Sequence, residues 1–186
     1  SRLGGQVVWA VRVANRAEFG DIVRNLLHDV EQLGVEVPTG VAATAASVLV
    51  PLVPRDDGLH VLLTRRTDHL HDHAGQISFP GGRRDEGDAD EEDTALREAQ
   101  EEVGLERRHV EVIGRLPTYT TVTHYVVTPV VGLVQPPFDL ALDSFEVAEV
   151  FEVPLAFLMS PRHHPRHRFE FDGGHRHFLS MPWQRE

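Results

Sequence analysis

The chain has 186 residues, of which 41% are hydrophobic and 25% are charged, an ordinary composition for one folded domain with a full core. Its formal net charge of −11 argues against a nucleic-acid partner, because phosphate backbones are bound by clustered Lys and Arg. The absence of cysteine excludes disulfides, thiolate zinc sites and a cysteine nucleophile. No apolar run is as long as a membrane span, so we expect no membrane partner and a cytoplasmic location.

The first predicted element is a helix. Between Arg16 and Leu33 apolar residues recur every three or four positions, a pattern typical of an amphipathic helix, and Gly34 ends it. We therefore divide the chain into an N-terminal helical extension at residues 1–40 and a main domain at residues 41–186.

Short strands and a glycine turn come next. The turn is Pro80-Gly81-Gly82, where glycine lets the backbone approach a ligand closely. Histidines alternate in the preceding segment and recur near the C-terminus, but their spacings lack the ordered pairs of a structural zinc site, so we interpret them as loop and hairpin residues. The predicted strands are Ala46–Val53, Gly58–Thr64 and Gly75–Phe79.

A strongly acidic segment follows the turn. Residues 85–106 contain eleven acids and one base, for a local charge of −10 out of −11. Asp90 and Asp93 are N-cap candidates for a helix there, and Gly104 lies where a left-handed C-terminal residue is expected. At 100° per residue, the helix places Leu96, Ala99 and Val103 on a packing side and Glu98, Glu101 and Glu102 on the other.

Three clustered carboxylates repel one another unless a cation compensates them. Mg²⁺ and Mn²⁺ prefer oxygen ligands, and Mg²⁺ is commonly held by one or two carboxylates together with substrate phosphates. We therefore predict that Glu98 and Glu102 bind Mg²⁺ or Mn²⁺, with Glu101 beside them as a ligand or as the catalytic base. A solvated acidic helix face is the alternative for such a cluster taken alone.

The C-terminal part predicts three strands, a short helix and a hairpin. Pro129 predicts an edge or a bulge in the second of these strands, and Asp172-Gly173-Gly174 predicts the hairpin turn. Because strands and helices do not alternate regularly, we expect a mixed sheet with helices packed on it. The segments are Val110–Leu116, His124–Val134, Glu146–Val153, the helix Pro154–Met159, and the hairpin strands Arg168–Phe171 and His175–Leu179.

The acidic helix and its flank resemble the signature of the Nudix hydrolases, which cleave a nucleoside diphosphate linked to another moiety. The matching residues are Gly82 and then Arg97-Glu98-x-x-Glu101-Glu102-x-Gly104-Leu105. The resemblance implies an α/β fold of the α+β type, an α/β/α sandwich around a central mixed sheet, with a small-molecule substrate. One departure is that the stretch from Gly82 to Arg97 is one residue longer, and the intermediate Glu is replaced by Asp88 or shifted.

A second block is similar to the segment that marks the coenzyme A pyrophosphatase subfamily. It runs from Leu62 to Gly82 and includes Leu62-Leu63-Thr64-x-Arg66 and Gly75-Gln76-Ile77-Ser78-Phe79-Pro80-Gly81-Gly82; Glu149–Leu155 resembles a later piece. The implied activity is cleavage of the coenzyme A diphosphate into 3′,5′-ADP and 4′-phosphopantetheine.

The resemblance also implies roles for flanking residues. Gly82, Arg65 and Arg66 are the predicted substrate-binding residues, Gly82 through its carbonyl and the arginines through the 3′-phosphate of coenzyme A. Arg83 and Arg84 are further candidates, and each arginine could equally be an ordinary surface residue.

Three further charged residues, Arg97, Glu146 and Glu149, have predicted roles. Arg97 is predicted to act through its fork of donors and not to touch the substrate; a purely structural ion pair is the favoured role, and orientation of the catalytic carboxylates is the other. Glu146 or Glu149 is an alternative base, or an ordinary strand acid.

Other functions compete with this one. A Nudix hydrolase of another nucleoside diphosphate derivative, such as ADP-ribose, and a non-catalytic Nudix-fold binding module are the alternatives. The intact glutamates count against the second, because a binder has no reason to keep a costly carboxylate cluster. A homodimer is compatible with the sequence, which does not give the oligomeric state.

Overall fold

The computed structural model of the chain describes residues 43–69, 75–121, 124–163, 165–171 and 174–179. The predicted helix at Arg16–Leu33, with the rest of the 1–40 extension, and the histidines at positions 71 and 73 lie outside the described residues. Within the described ranges, no helix is both long enough and apolar enough to cross a membrane.

The described part of the chain contains all the predicted strands. The predicted strand Gly75–Phe79 is reduced to two residues, and two further short strands flank the sheet. The strands are β1 (Thr44–Arg55), β2 (Gly58–Arg66), β3 (Ile77–Ser78), β4 (Gly81–Arg83), β5 (Val110–Arg115), β6 (Tyr119–Thr120), β7 (Tyr125–Val134), β8 (Val147–Pro154), β9 (Arg166–Phe171) and β10 (Gly174–Leu179). The helices are α1 (Glu91–Val103) and α2 (Leu155–Leu158), with 3₁₀ turns at Arg107–His109 and Pro161–His163.

The central sheet is mixed, as predicted. Its strand order is β3-β2-β1-β7-β5, with β4 beside β1, β6 beside β7 and β8 beside β2. β1 and β7 run parallel, and the other pairs in this sheet are antiparallel. The predicted hairpin is present as β9 and β10, which form a separate two-stranded sheet.

Alternating residues of the central strands pack on opposite faces of the sheet, since successive side chains of a strand point to opposite sides. On one face, Leu49, Val53, Leu62 and Val130 pack with Ala95, Ala99 and Val103 of α1. On the other face, Val50, Leu52, Val61 and Leu63 pack with Leu155 and Leu158 of α2. This core fixes α1 against the sheet and so determines where its acidic residues lie.

The ends of α1 follow the predicted signals. Of the two N-cap candidates, Asp90 is the cap, and its side chain accepts a hydrogen bond from the Asp93 N–H. Gly104 adopts a left-handed conformation (φ 71°) and its N–H donates to the Gln100 carbonyl. A Cβ at Gly104 would lie 2.6 Å from the Ala141 nitrogen, so both the conformation and the space require glycine.

Pro129 does not mark an edge or a bulge of its strand, because β7 lies inside the sheet between β1 and β5. The bulge is in β5, between Val112 and Gly114. The Leu116 N–H donates to the Pro129 carbonyl, and the N and C=O of one strand residue point to the same side. The nitrogen of Pro129 therefore faces the gap between β5 and β6, where no ladder hydrogen bond is lost.

Candidate active site

The C-terminal half of α1 holds two carboxylates against the glycine turn. Glu102 is buried, with 8% of the residue exposed, and its Oε2 accepts a hydrogen bond of 3.1 Å from the Gly81 N–H. The Glu98 carboxylate lies so close to Gly82 that a Cβ built there would be 2.5 Å from its carboxyl carbon. Because Gly81 and Gly82 are consecutive, the two carboxylates lie beside the same short piece of backbone.

The backbone of β4 is held against β1 by its own close packing. The Leu49 N–H donates to the Pro80 carbonyl over 2.8 Å. A Cβ at Gly81 would lie 2.4 Å from the Ser47 carbonyl oxygen, so only glycine allows this approach. The turn is therefore a fixed support for Glu98 and Glu102.

Burial raises the pKa of both carboxylates. Burial raises the pKa of Glu102 to about 7, and the charges of Glu98 and Glu146 add to the shift, while the Gly81 N–H and Arg66 oppose it. Burial also raises the pKa of Glu98, although the Arg97 guanidinium opposes that shift. A bound cation would favour the charged form of both groups.

The third predicted ligand, Glu101, lies apart from the other two. Its side chain is 60% exposed, and its Oε2 accepts a 3.0 Å hydrogen bond from Nη1 of Arg97. Among the residues that the structure describes, no group of three His, Asp or Glu side chains is arranged to hold a metal ion. The structure thus brings Glu98 and Glu102 together and leaves Glu101 on the outer side of the helix, about 100° from Glu102.

Arg97 bridges the loop and the helix. Its Nε and Nη2 donate to the two oxygens of Asp88 over 2.8 and 2.9 Å, and its Nη1 donates to Glu98 over 3.0 Å. A further hydrogen bond runs from Nη2 to the Arg83 carbonyl. Arg97 contacts two of the three carboxylates that it was predicted to orient, Glu98 and Glu101, and Asp88 is the loop acid with which it pairs.

Asp88 is fully partnered. Only 3% of its side chain is exposed, and it also accepts hydrogen bonds from the Asp85 N–H and the Thr94 hydroxyl. The Arg97 guanidinium holds the pKa of this carboxyl well below its usual range, although burial opposes the shift. Thr94 was not identified from the sequence. Its sequence signal is a position one turn after an acid at the start of a predicted helix, and such positions are too common to single it out.

Of the four candidate arginines, Arg66 is the one whose charge acts on Glu102. Its charge lowers the pKa of Glu102, and its Nη1 lies 4.0 Å from Glu146. Its Nε is buried without a hydrogen-bond partner among the described residues. Arg65 instead lies 3.5 Å from Glu149 and 3.6 Å from Asp68.

The other two arginines have structural contacts. Arg83 hydrogen-bonds the Tyr125 hydroxyl and lies 5.2 Å from the ring centre, and Arg84 donates to the Ala89 carbonyl over 3.1 Å. Neighbouring strand residues point to opposite faces, so the order of arginines in the sequence did not indicate which of them meets the acids.

Glu146 and Glu149 are also separated by the fold. The Glu146 charge raises the pKa of both Glu98 and Glu102, whereas Glu149 lies beside Arg65. Of the two alternative bases, Glu146 is therefore the one whose charge acts on Glu98 and Glu102.

The residues fit a hard divalent cation. Glu98 and Glu102 supply desolvated oxygen donors, which Mg²⁺ and Mn²⁺ prefer. The missing Cβ of Gly82 leaves the space in which the Glu98 carboxylate lies. The backbone N–H of Gly81, which sequence reasoning did not identify as a donor, fixes one oxygen of Glu102 and leaves its other oxygen available.

These features are those of a Nudix-domain hydrolase. The NUDIX domain model matches residues 43–171, and the chain belongs to the Nudix hydrolase family, which acts on phosphoanhydride bonds of nucleoside diphosphate derivatives and generally uses divalent metal ions. The chain is similar to the uncharacterized Nudix hydrolase NudL of Escherichia coli K12, with 48% identity over 137 residues, which is 73% of this chain and 70% of NudL.

Solved structures agree on the fold. The Nudix hydrolase RenU of M. smegmatis aligns with a TM-score of 0.51 and 25% identity over 60% of this chain and 70% of RenU. The NUDIX domain of Shewanella oneidensis NrtR, solved with ADP ribose, aligns with a TM-score of 0.51 and 24% identity over 70% of this chain and 86% of that domain.

Proposed function

We propose that this hydrolase cleaves the diphosphate linkage of coenzyme A or its derivatives with Mg²⁺ or Mn²⁺ bound. Water is consumed, and the products are 3′,5′-ADP and 4′-phosphopantetheine. The observation that carries the proposal is the pair of carboxylates, buried Glu102 and half-buried Glu98, held against the Gly81-Gly82 backbone. Burial raises the pKa of both groups, which supports a role for a bound cation in compensating their charge.

Glu98 and Glu102 would hold the ion. When bound, the ion neutralises diphosphate oxygens and lowers the pKa of a bound water. Glu101 is the proposed third carboxylate, as a ligand or as the base that takes a proton from water. Its contact with Arg97 is exposed and is worth less than about 1 kcal/mol, so the side chain is free to reorient toward a substrate.

Glu146 is the alternative base. Its charge acts on both buried carboxylates, which supports a position near the reacting phosphate. Glu149 is less suited because Arg65 lies beside it. Arg97 orients the carboxylates by donating to Glu98 and Glu101.

Cationic groups are needed for the phosphates. Arg66 is the first candidate, because its guanidinium lies close enough to act on Glu102 and its buried Nε has no protein partner in the described part of the chain. Arg65 is the second, at the end of the same strand. Gly82, which lies next to the Glu98 carboxylate, would contribute its backbone carbonyl.

The coenzyme A assignment is supported by where its sequence block falls. Residues 62–82 run from β2 through β3 to β4 and end at the glycines that touch the carboxylates. Thr64 holds β2 to β3 by donating to the Ser78 carbonyl over 3.1 Å. The block that resembles the coenzyme A subfamily therefore ends beside Glu102 and Glu98. The homodimer and the cytoplasmic location stay predictions.

A substrate panel tests the proposal. The protein is incubated with coenzyme A, dephospho-coenzyme A, ADP-ribose and dinucleoside polyphosphates, with Mg²⁺ or Mn²⁺, and products are separated by chromatography. We expect coenzyme A to be cleaved with the highest kcat/KM, and Arg66→Ala to raise KM more for coenzyme A than for dephospho-coenzyme A. Turnover of ADP-ribose without turnover of coenzyme A would overturn the substrate assignment.

A further inference from the structure

One aromatic ring near the carboxylates is unusually exposed. Phe145 has 64% of its surface exposed, compared with 39% for Leu142 and 36% for Ile77, the other exposed large hydrophobic residues of the described ranges. Phe145 immediately precedes Glu146, whose charge acts on the buried carboxylates. Single exposed apolar side chains are common and need no explanation, so the surroundings of this ring must indicate whether it has a function.

The backbone under the ring is fixed on two sides. The Phe145 carbonyl accepts a 2.7 Å hydrogen bond from the Thr67 hydroxyl, and its N–H donates to Asp143 over 2.9 Å. The Asp143 N–H in turn donates to the Glu102 carbonyl over 2.9 Å, and the Thr67 N–H donates to the Glu146 carbonyl over 3.0 Å. The exposed ring is thus presented on a segment that is tied directly to the buried glutamate.

A second ring lies beside the first. The His69 and Phe145 ring centres are 5.0 Å apart and the rings are tilted by 58°, so they are not stacked face to face. Arg66, the phosphate-binding candidate, precedes His69 by three residues, and its Nη1 lies 4.0 Å from the carboxylate of Glu146, the residue that follows Phe145. The candidate phosphate ligand and the exposed ring therefore belong to the same two neighbouring segments, as a nucleotide-binding site requires.

We propose that Phe145, with His69 at its edge, is the surface on which the nucleobase of the substrate stacks. Every base has a π face, so an exposed aromatic ring binds bases through stacking with little dependence on their identity. The inference rests on the proposed function, because it takes the substrate to be a nucleoside diphosphate derivative with its diphosphate at Glu98 and Glu102. It makes Phe145 a binding residue that acts on KM and not on the chemical step.

The first experiment compares Phe145→Ala with wild type by steady-state kinetics on coenzyme A and on ADP-ribose. We expect KM to rise about tenfold for every nucleotide that is turned over, within the range measured for base stacking, and kcat to change less than about twofold. Phe145→Trp should restore KM, and Leu142→Ala is the matched control that removes an exposed apolar side chain from the same segment. Thermal unfolding of each variant confirms that it is folded.

The second experiment measures binding without turnover. In the inactive background Glu102→Gln, the further change Phe145→Trp supplies a reporter, and the Glu102→Gln protein alone corrects for the two native tryptophans. We expect ADP to quench the added fluorescence and inorganic pyrophosphate not to do so. Both titrations are read without catalysis, so they decide the inference even if no nucleotide is turned over.

The outcomes distinguish failure of the stacking proposal from failure of the proposed function. An unchanged KM in an active Phe145→Ala enzyme, or equal quenching by ADP and pyrophosphate, overturns the stacking surface and leaves the proposed function intact. A KM that rises for coenzyme A alone and not for ADP-ribose shows that the ring contacts the pantetheine arm, and it also overturns the base-stacking proposal. Failure of wild type to cleave any nucleoside diphosphate derivative overturns the proposed function itself.

Discussion

The buried acids at the two ends of helix α1 lie in opposite electrostatic environments. At the start, Asp88 is buried and receives hydrogen bonds from Arg97, Thr94 and the Asp85 N–H, and its pKa is lowered. At the end, Glu102 is buried with one backbone N–H, and its pKa is raised to about 7. The same chemical group is stabilised as an anion in one place and penalised in the other.

We interpret the difference as one between an acid that supports the fold and an acid that is proposed to bind the metal ion. A buried carboxylate that is matched by a guanidinium and a hydroxyl holds the loop to the helix. A buried carboxylate that lacks such partners costs stability in the free protein, and such perturbed groups cluster at functional sites. Four substitutions or conditions test whether this division is correct.

The largest effect is expected for Glu102→Gln. We expect kcat to fall about 1,000-fold, comparable to the loss of a major electrostatic group from an active site, with an unfolding free energy no lower than that of wild type. Steady-state kinetics and urea unfolding measure the two quantities. Glu92→Gln is the matched control, since Glu92 lies on the same helix and pairs with Arg115 at the surface; a comparable loss of turnover there would contradict the division.

The next effect is on stability and concerns Asp88→Ala. The substitution removes the buried partner that accepts two hydrogen bonds from Arg97 and leaves this guanidinium with Glu98 and Glu101, so we expect the free energy of unfolding to fall by about 3 kcal/mol. Asp85→Asn should change it by less than about 0.5 kcal/mol, because that carboxylate is exposed and 3.9 Å from Arg97. Urea unfolding that gives equal values for the two variants would show that Asp88 is not the structural acid.

A smaller effect on turnover is expected for Gly82→Ala. The added methyl would lie 2.5 Å from the Glu98 carboxyl carbon and must displace that side chain. Displacement of a group by about 1 Å can cost about 100-fold in rate, so we expect kcat to fall between tenfold and about 100-fold. Gly87→Ala is the control, because a Cβ at Gly87 meets nothing within 4 Å. Full activity of Gly82→Ala would show that Glu98 is not part of the active site.

The smallest effect is the pH dependence of the metal-free protein. The folded pKa of Glu102 is about 7 and the ordinary value is 4.5, so between these pH values the unfolded chain binds fewer protons than the native one. Stability should therefore fall as pH rises from 4.5 to 7, by about 2 kcal/mol, and level off above pH 7. Unfolding in urea with a chelator at several pH values measures this.

Two comparisons sharpen that measurement. Glu102→Gln should remove most of the slope and leave the part that the raised pKa of Glu98 contributes. Mg²⁺ should restore stability mainly at the high-pH end, since the cation binds the ionised form. The lowered pKa of Asp88 acts in the opposite sense, with stability lost as pH falls below about 4, so it does not mask the Glu102 slope. A flat profile for wild type would mean that Glu102 is not desolvated in solution.

Local chemistry determined much of this protein from sequence. Strands were predictable because apolar residues alternate or run together in β1, β2 and β7, and α1 was predictable because Asp90 and Gly104 provide its ends. The two-residue β3 and the sheet-internal Pro129 were not, since both depend on which strand lies alongside. The family signature placed Glu98 and Glu102 because their spacing is one turn of a helix.

Only the tertiary structure decided how each charged group is surrounded. Spacing on α1 treats Glu101 and Glu102 as equivalent neighbours, but the sheet buries Glu102 beside Gly81 and leaves Glu101 exposed beside Arg97. Likewise, residues far apart in the chain bring Arg66, and not Arg65, toward the carboxylates. Desolvation and long-range charge depend on atoms contributed by other elements. The residues next to a carboxylate in the sequence therefore do not determine which groups surround it in space.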